Sequence, residues 1–101
     1  VGYAFVEENL DVIKPLEVDG GKGCVAPTYD TISDGSYPIS RPLFIYVNKA
    51  KITESPALKA FVDYYLTDTG VVTSVQETGY VELPSDQIEA SRSTWETESA
   101  A

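Results

Sequence analysis

No histidine occurs in this chain of 101 residues. Its absence removes the commonest general base and the commonest metal ligand, and with them every Ser-His-Asp or Cys-His arrangement. Cysteine is nearly absent too. Cys24 stands alone, which excludes an intrachain disulfide and a thiolate metal site. Only Lys22 lies near it in sequence, so a small filler in or beside a turn is expected rather than a reactive thiol. No apolar run approaches the ~20 residues of a membrane span, and no secretory signal pattern is seen. Cations are scarce as well: 7 Lys and Arg against 16 Asp and Glu leave a formal charge of −9. A field of that sign repels phosphodiester backbones and anionic membranes, which disfavours nucleic acid as a partner. A small anion is still admissible, because local backbone N–H groups outweigh a distant negative surface.

What is present describes a folded chain. Hydrophobic residues make up 43% and charged residues 23%, ordinary for a soluble globular protein and not for a disordered one. The length suits one small domain, of marginal stability because such a chain buries roughly two-thirds of its unfolded surface. The sequence opens without methionine on Val1-Gly2-Tyr3-Ala4-Phe5-Val6, which reads as a strand already under way. The expectation is a piece of a longer polypeptide.

Along the chain, Val1–Phe5 suits a buried strand, and Val6, Leu10 and Ile13 then share one face of a short helix ended by Pro15. Leu16-Glu17-Val18 predicts a brief strand running into the Asp19–Gly23 turn. That glycine cluster lacks the spacing of a phosphate loop, and no clear helix follows it. Residues 27–34 predict one or two helical turns with Pro27 at the first position and Gly35 as the stop. Leu43-Phe44-Ile45-Tyr46-Val47 is the strongest strand signal, an unbroken run of the kind covered on both faces. Pro38 and Pro42 keep its approach extended. Ser55 as N-cap and Pro56 as first residue open the clearest helix, with Leu58, Phe61, Val62, Tyr65 and Leu66 as one core-facing stripe. Gly70 is expected to stop it. Val71, Val72 and Val75 predict a second short helix closed by Gly79. Tyr80–Leu83 reads as extended, and Pro84 or Ser85 opens a last helix carrying Ile88 and Trp95, with a fraying tail from Glu96 to Ala101. The order β-α-β-α-β-α-α-β-α indicates an α/β sheet protein.

Carboxylates are plentiful but unpaired for acid–base work: Glu7, Glu8 and Asp63 fall on expected polar helix faces. The acidic residues show no metal-ligand spacing, and no cofactor is implied. Seven tyrosines and one tryptophan fall mostly at core positions, which favours packing over a binding platform. One stretch stands out, Tyr37-Pro38-Ile39-Ser40-Arg41-Pro42-Leu43. An arginine between prolines, just before an apolar run, has two readings: a strand entry with one structural ion pair, or a hinge at the edge of a ligand cleft.

Gly2-Tyr3-Ala4, then Asp34-Gly35-Ser36-Tyr37-Pro38-Ile39-Ser40-Arg41-Pro42-Leu43-Phe44-Ile45-Tyr46-Val47, then Phe61–Leu66 and Gly79-Tyr80-Val81-Glu82-Leu83-Pro84, together resemble the end of PstS-type phosphate-binding proteins. The resemblance spans nearly the whole chain, and its Asp34–Leu43 string is the most distinctive part. It implies the C-terminal part of a two-lobe periplasmic-binding-protein fold of type II: residues 1–37 in the second lobe, 38–48 as the crossover strand, and 49–101 completing the first lobe. It further implies capture of inorganic phosphate outside the cytoplasmic membrane, in the periplasm or at the cell surface with or without a lipid anchor. The partners implied are an ABC permease in the membrane and the remaining N-terminal part of the parent protein, and no catalysis is implied. That family's ligands come mainly from earlier segments, and no Ser-Gly-Thr-like phosphate loop occurs here. Ser40 and Arg41 are therefore the only ligand candidates carried forward. A different class stays open beside this one, an adhesion or sensor module on the same scaffold.

Overall fold

The computed structural model describes residues 2–100. Its first element is a helix, α1 (Tyr3–Glu8), closed where the Asn9 side-chain amide donates to the Phe5 carbonyl at 2.8 Å. This corrects the strand expected over Val1–Phe5, of which Val1 lies outside the described residues. A strand needs a neighbour to satisfy its backbone, and none reaches this segment, so the backbone closes on itself as helix. The helix expected from Val6 to Ile13 accordingly ends early. Only a turn continues it, with the Val12 and Ile13 N–H groups both on the Asn9 carbonyl.

The one sheet found among the described residues is a hairpin of β1 (Val18–Asp19) and β2 (Cys24–Val25), antiparallel, with Val18 opposite Val25 and Asp19 opposite Cys24. Its turn is fixed by chemistry legible in the sequence. The Asp19 carboxylate accepts the Gly21 N–H at 2.8 Å and the Gly23 N–H at 3.0 Å. Gly21 and Gly23 hold φ of 107° and 98°, the left-handed region where a side chain is strained.

Helix α2 (Tyr29–Ser33) starts two residues later than expected. Thr28 is the N-cap, in a reciprocal capping box with Thr31, and Pro27 stands just outside it. The expected stop at Gly35 is seen, at φ 79°. After the Tyr37–Ser40 turn the chain runs without regular structure from Arg41 to Asn48.

The run Leu43–Val47 is the largest departure from expectation. It has no regular structure, and among the described residues its backbone makes no hydrogen bond to other backbone. Far from being covered on both faces, Leu43 is 76%, Phe44 69% and Tyr46 92% exposed. The propensity is that of a strand, but a strand is a tertiary object, and these residues supply no neighbour for it.

Helices dominate the remainder. Asn48 caps α3 (Lys49–Glu54), an element not anticipated, through a bond from the Ala50 N–H to its side-chain carbonyl at 3.0 Å. Ser55 and Pro56 open α4 (Pro56–Tyr65) as expected, the Ser55 hydroxyl accepting the Leu58 N–H. Its stripe is only partly inward: Val62 is buried, whereas Phe61 is 63% exposed. Gly70 does not stop a helix. It is buried inside a π-helical turn (Thr69–Ser74) that runs directly into α5 (Val75–Glu77), and Gly79 closes this at φ 78°. Residues 80–84 have no regular structure, and α6 spans Ser85–Ser99. The tail expected to fray is helical through Ser99; Ala101 lies outside the described residues.

Helix α3 packs on α4 and α6, and α4 on the π turn. Three apolar side chains are buried there, Ile52, Val62 and Ile88, one from each of α3, α4 and α6. Each contributes about 1.5–3 kcal/mol. That is small against an ordering cost of about 1–2 kcal/mol for every residue fixed. The dimensions agree: the radius of gyration is 16.7 Å, where a compact chain of this length has about 13 Å. In content the chain is helix-rich with a small sheet, compatible with the α/β class.

Candidate functional site

A cleft of about 1130 Å³ lies between the segment Ser33–Ile45 and the helical unit of α4, the π turn and α6. Its first wall is built by turns. The Tyr37 carbonyl accepts both the Ser40 N–H at 3.0 Å and the Ser40 hydroxyl at 2.8 Å, which pins the chain just before Pro42. The Asp34 carboxylate accepts the Ser36 N–H at 2.8 Å, and its bonds from Ser36 hold it below the usual aspartate range. Opposite, Val62, Tyr65, Gly70 and Trp95 line the helical wall.

The two sequence candidates are brought together here. Ser40 is half-buried with its hydroxyl already engaged, and Arg41 is exposed at the same rim. Among the described residues Arg41 makes no ion pair, so the structural ion pair of its alternative reading has no partner there. Four other cations are paired: Lys49 to Glu98 and Lys51 to Glu54 at 2.5 Å, Lys59 to Asp63 at 2.9 Å, and Arg92 to Asp68 at 2.6 Å. Among the described residues Arg41 is also the one cation lining the cleft, alongside the carboxylates of Asp34, Glu82 and Glu98. An arginine in that position presents five N–H donors in a fork suited to an oxyanion.

Two polar centres that hold the cleft were missed in the sequence. Glu82 is the first. Its carboxylate accepts from the Tyr29 hydroxyl and, at 2.9 Å, from the Gln76 amide, and its backbone carbonyl accepts the Ser33 hydroxyl at 2.8 Å. It thereby ties α2 to α5 across the floor of the cleft. The signal was a lone carboxylate inside the apolar run Tyr80–Leu83. Asp63 is the second. Bonds from Lys59, and then from the Trp95 indole N–H at 2.7 Å, hold its carboxyl below the usual range. Its place on a polar helix face was anticipated; its partner on α6 was not, although a half-buried indole N–H normally finds an acceptor.

Elsewhere, Tyr3 has its hydroxyl pKa raised, first by burial and then by the charges of Glu7 and Asp30. Cys24 is exposed on β2. Among the described residues no three His, Cys, Asp or Glu gather as metal ligands, and no helix is long and apolar enough to cross a membrane.

A family model for a PBP superfamily domain matches residues 2–69. The chain is 41% identical over 86 residues to the protein SphX of Synechocystis, covering 84% of this chain and 25% of that protein. It is 42% identical over 85 residues to the phosphate-binding protein PstS of Staphylococcus saprophyticus, covering 82% and 26%. The PstS of Staphylococcus aureus is 38% identical over 84 residues, covering 82% and 25%. The chain thus spans about a quarter of the length of the curated relatives it matches. No solved structure matches it.

Proposed function

Because this chain belongs to the PBP superfamily, we propose that it is part of the extracytoplasmic solute-binding component of a phosphate ABC transporter, capturing inorganic phosphate for import. The observation that carries this reading is the match, over four-fifths of the chain, to proteins named for phosphate binding. Binding rather than catalysis follows from the same names. In the fuller reading the chain is the C-terminal portion of a two-lobe protein. Residues 1–37 belong to the second lobe, residues 38–48 cross over, and residues 49–101 complete the first. Its other partners are the remaining N-terminal part and a membrane permease, and it works in the periplasm or at the cell surface.

The cleft supports a contributory role in phosphate capture. Ser40 and Arg41 sit at its rim, Arg41 without an ion pair among the described residues. No Ser-Gly-Thr-like phosphate loop occurs in the given sequence to hold a phosphate unaided. Calorimetry tests both halves. The 101-residue chain is expected to show no phosphate binding at micromolar concentrations. A polypeptide of the relatives' length that contains it is expected to bind phosphate tightly, and Arg41→Ala in that context to weaken it several-fold. Failure of the long form to bind phosphate removes the functional reading. Unchanged affinity in Arg41→Ala removes only the role at the rim.

A further inference from the structure

Ser40 has two hydrogen-bond donors, its backbone N–H and its hydroxyl, and both go to one acceptor. The Tyr37 carbonyl takes the N–H at 3.0 Å and the hydroxyl at 2.8 Å. A serine hydroxyl carries a single proton, so what remains on its oxygen is lone pairs, which repel an oxyanion. Ser40 thus lines the same cleft as Arg41 with no proton left to donate there.

Those two bonds close a turn. Tyr37 to Ser40 is a four-residue turn with Pro38 at its second position, which suits a ring-fixed φ of about −65°. The turn is held from outside as well. The Tyr37 N–H donates to the Thr31 carbonyl at 2.9 Å, and Thr31 belongs to the capping box of α2. Gly20, between β1 and β2, lies so near Pro38 that a Cβ on it would stand 2.8 Å from the ring. Arg41 is the residue that follows this turn, and Pro42 after it biases the Arg41 backbone away from helix.

We propose that Ser40 is a positioning residue for Arg41 and makes no contact with phosphate: it locks the turn that delivers the guanidinium to the rim of the cleft. This rests on the reading of Arg41 as a phosphate contact. A long side chain gives up rotamer freedom when it grips an anion, and a backbone fixed beforehand lowers what must be ordered on binding.

Phosphate calorimetry on a polypeptide of the relatives' length that contains this chain tests the assignment. Ser40→Ala keeps the backbone bond to Tyr37 and loses the lock, and is expected to weaken phosphate binding about two- to tenfold, the weight of one hydrogen bond. Ser40→Thr, which keeps the hydroxyl, is expected to restore it. Gly20→Ala lies outside the cleft lining, displaces Pro38, and is expected to weaken binding in the same way. In an Arg41→Ala background neither substitution is expected to weaken binding further, because both act through the guanidinium. Ser40→Ala with unchanged affinity overturns the inference. So does a loss of the same factor in both backgrounds, the mark of a direct ligand or of a general loss of structure. Should Ser40→Ala not fold, Gly20→Ala is read by the same two criteria. Failure of the long form to bind phosphate is a separate result that overturns the functional reading and this inference together.

Discussion

A single carboxylate shows how much of this fold hangs on individual polar side chains. Asp63 accepts from Lys59 one turn away in sequence and from Trp95 on another helix, and both bonds favour its charged form. Its folded pKa is depressed, so the stability it contributes is present above the ordinary aspartate pKa of about 4 and is lost as pH falls through the lower folded value. Trp95 fluorescence followed from neutral pH downwards is therefore expected to change below about pH 4, and Asp63→Asn to remove that acid limb. Gly70 is a steric case. A Cβ there would lie 2.2 Å from the Tyr65 carbonyl oxygen and 2.7 Å from its carbon, backbone atoms that cannot swing aside. Gly70→Ala is expected to destabilise the helical unit by about 1–3 kcal/mol, read as a lower urea midpoint. Neither role was legible in the sequence. Asp63 reads as surface and Gly70 as a stop, because the partner in each case is fixed only by how the chain packs.

Elements with their own punctuation were legible, and those that needed a neighbour were not. Ser55-Pro56 announces α4, Pro84-Ser85 announces α6, and the Asp19–Gly23 cluster announces the hairpin turn, because each signal is a local bond or a fixed φ. Helix α3 carried such a signal in the Asn48 cap, but it follows directly on a strand-like run that masks it. Val1–Phe5 and Leu43–Val47 were read as strands from composition, yet pairing is what makes a strand. The local nature of the caps gives a direct test. Ser55→Ala removes the acceptor for the Leu58 N–H and is expected to cost about 1 kcal/mol, measured by thermal unfolding followed in the far ultraviolet.

At the scale of the molecule, the candidate site was legible as a stretch and not as a cleft. Residues 37–43 stood out in the sequence, whereas the wall facing them is assembled from helices far along the chain. What joins the two walls is Glu82. The elements before Ser40 meet the helical unit through the Tyr29 and Ser33 bonds to this residue, with Gly79 lying close beneath Ala4. Gln76 holds the same carboxylate from the other side, so it is clamped between α2 and α5. Glu82→Ala leaves every helix its own caps and backbone bonds while removing both side-chain ties. The expected outcome is an unchanged far-ultraviolet spectrum together with a wider cleft, seen in small-angle scattering as a radius of gyration above that of the parent chain. A radius that does not move would place the joint in the Ser33 bond to the residue-82 backbone carbonyl, which this variant keeps, or in the Gly79–Ala4 contact. In the second case Gly79→Ala, which puts a Cβ 2.5 Å from that of Ala4, would be the variant that opens the cleft.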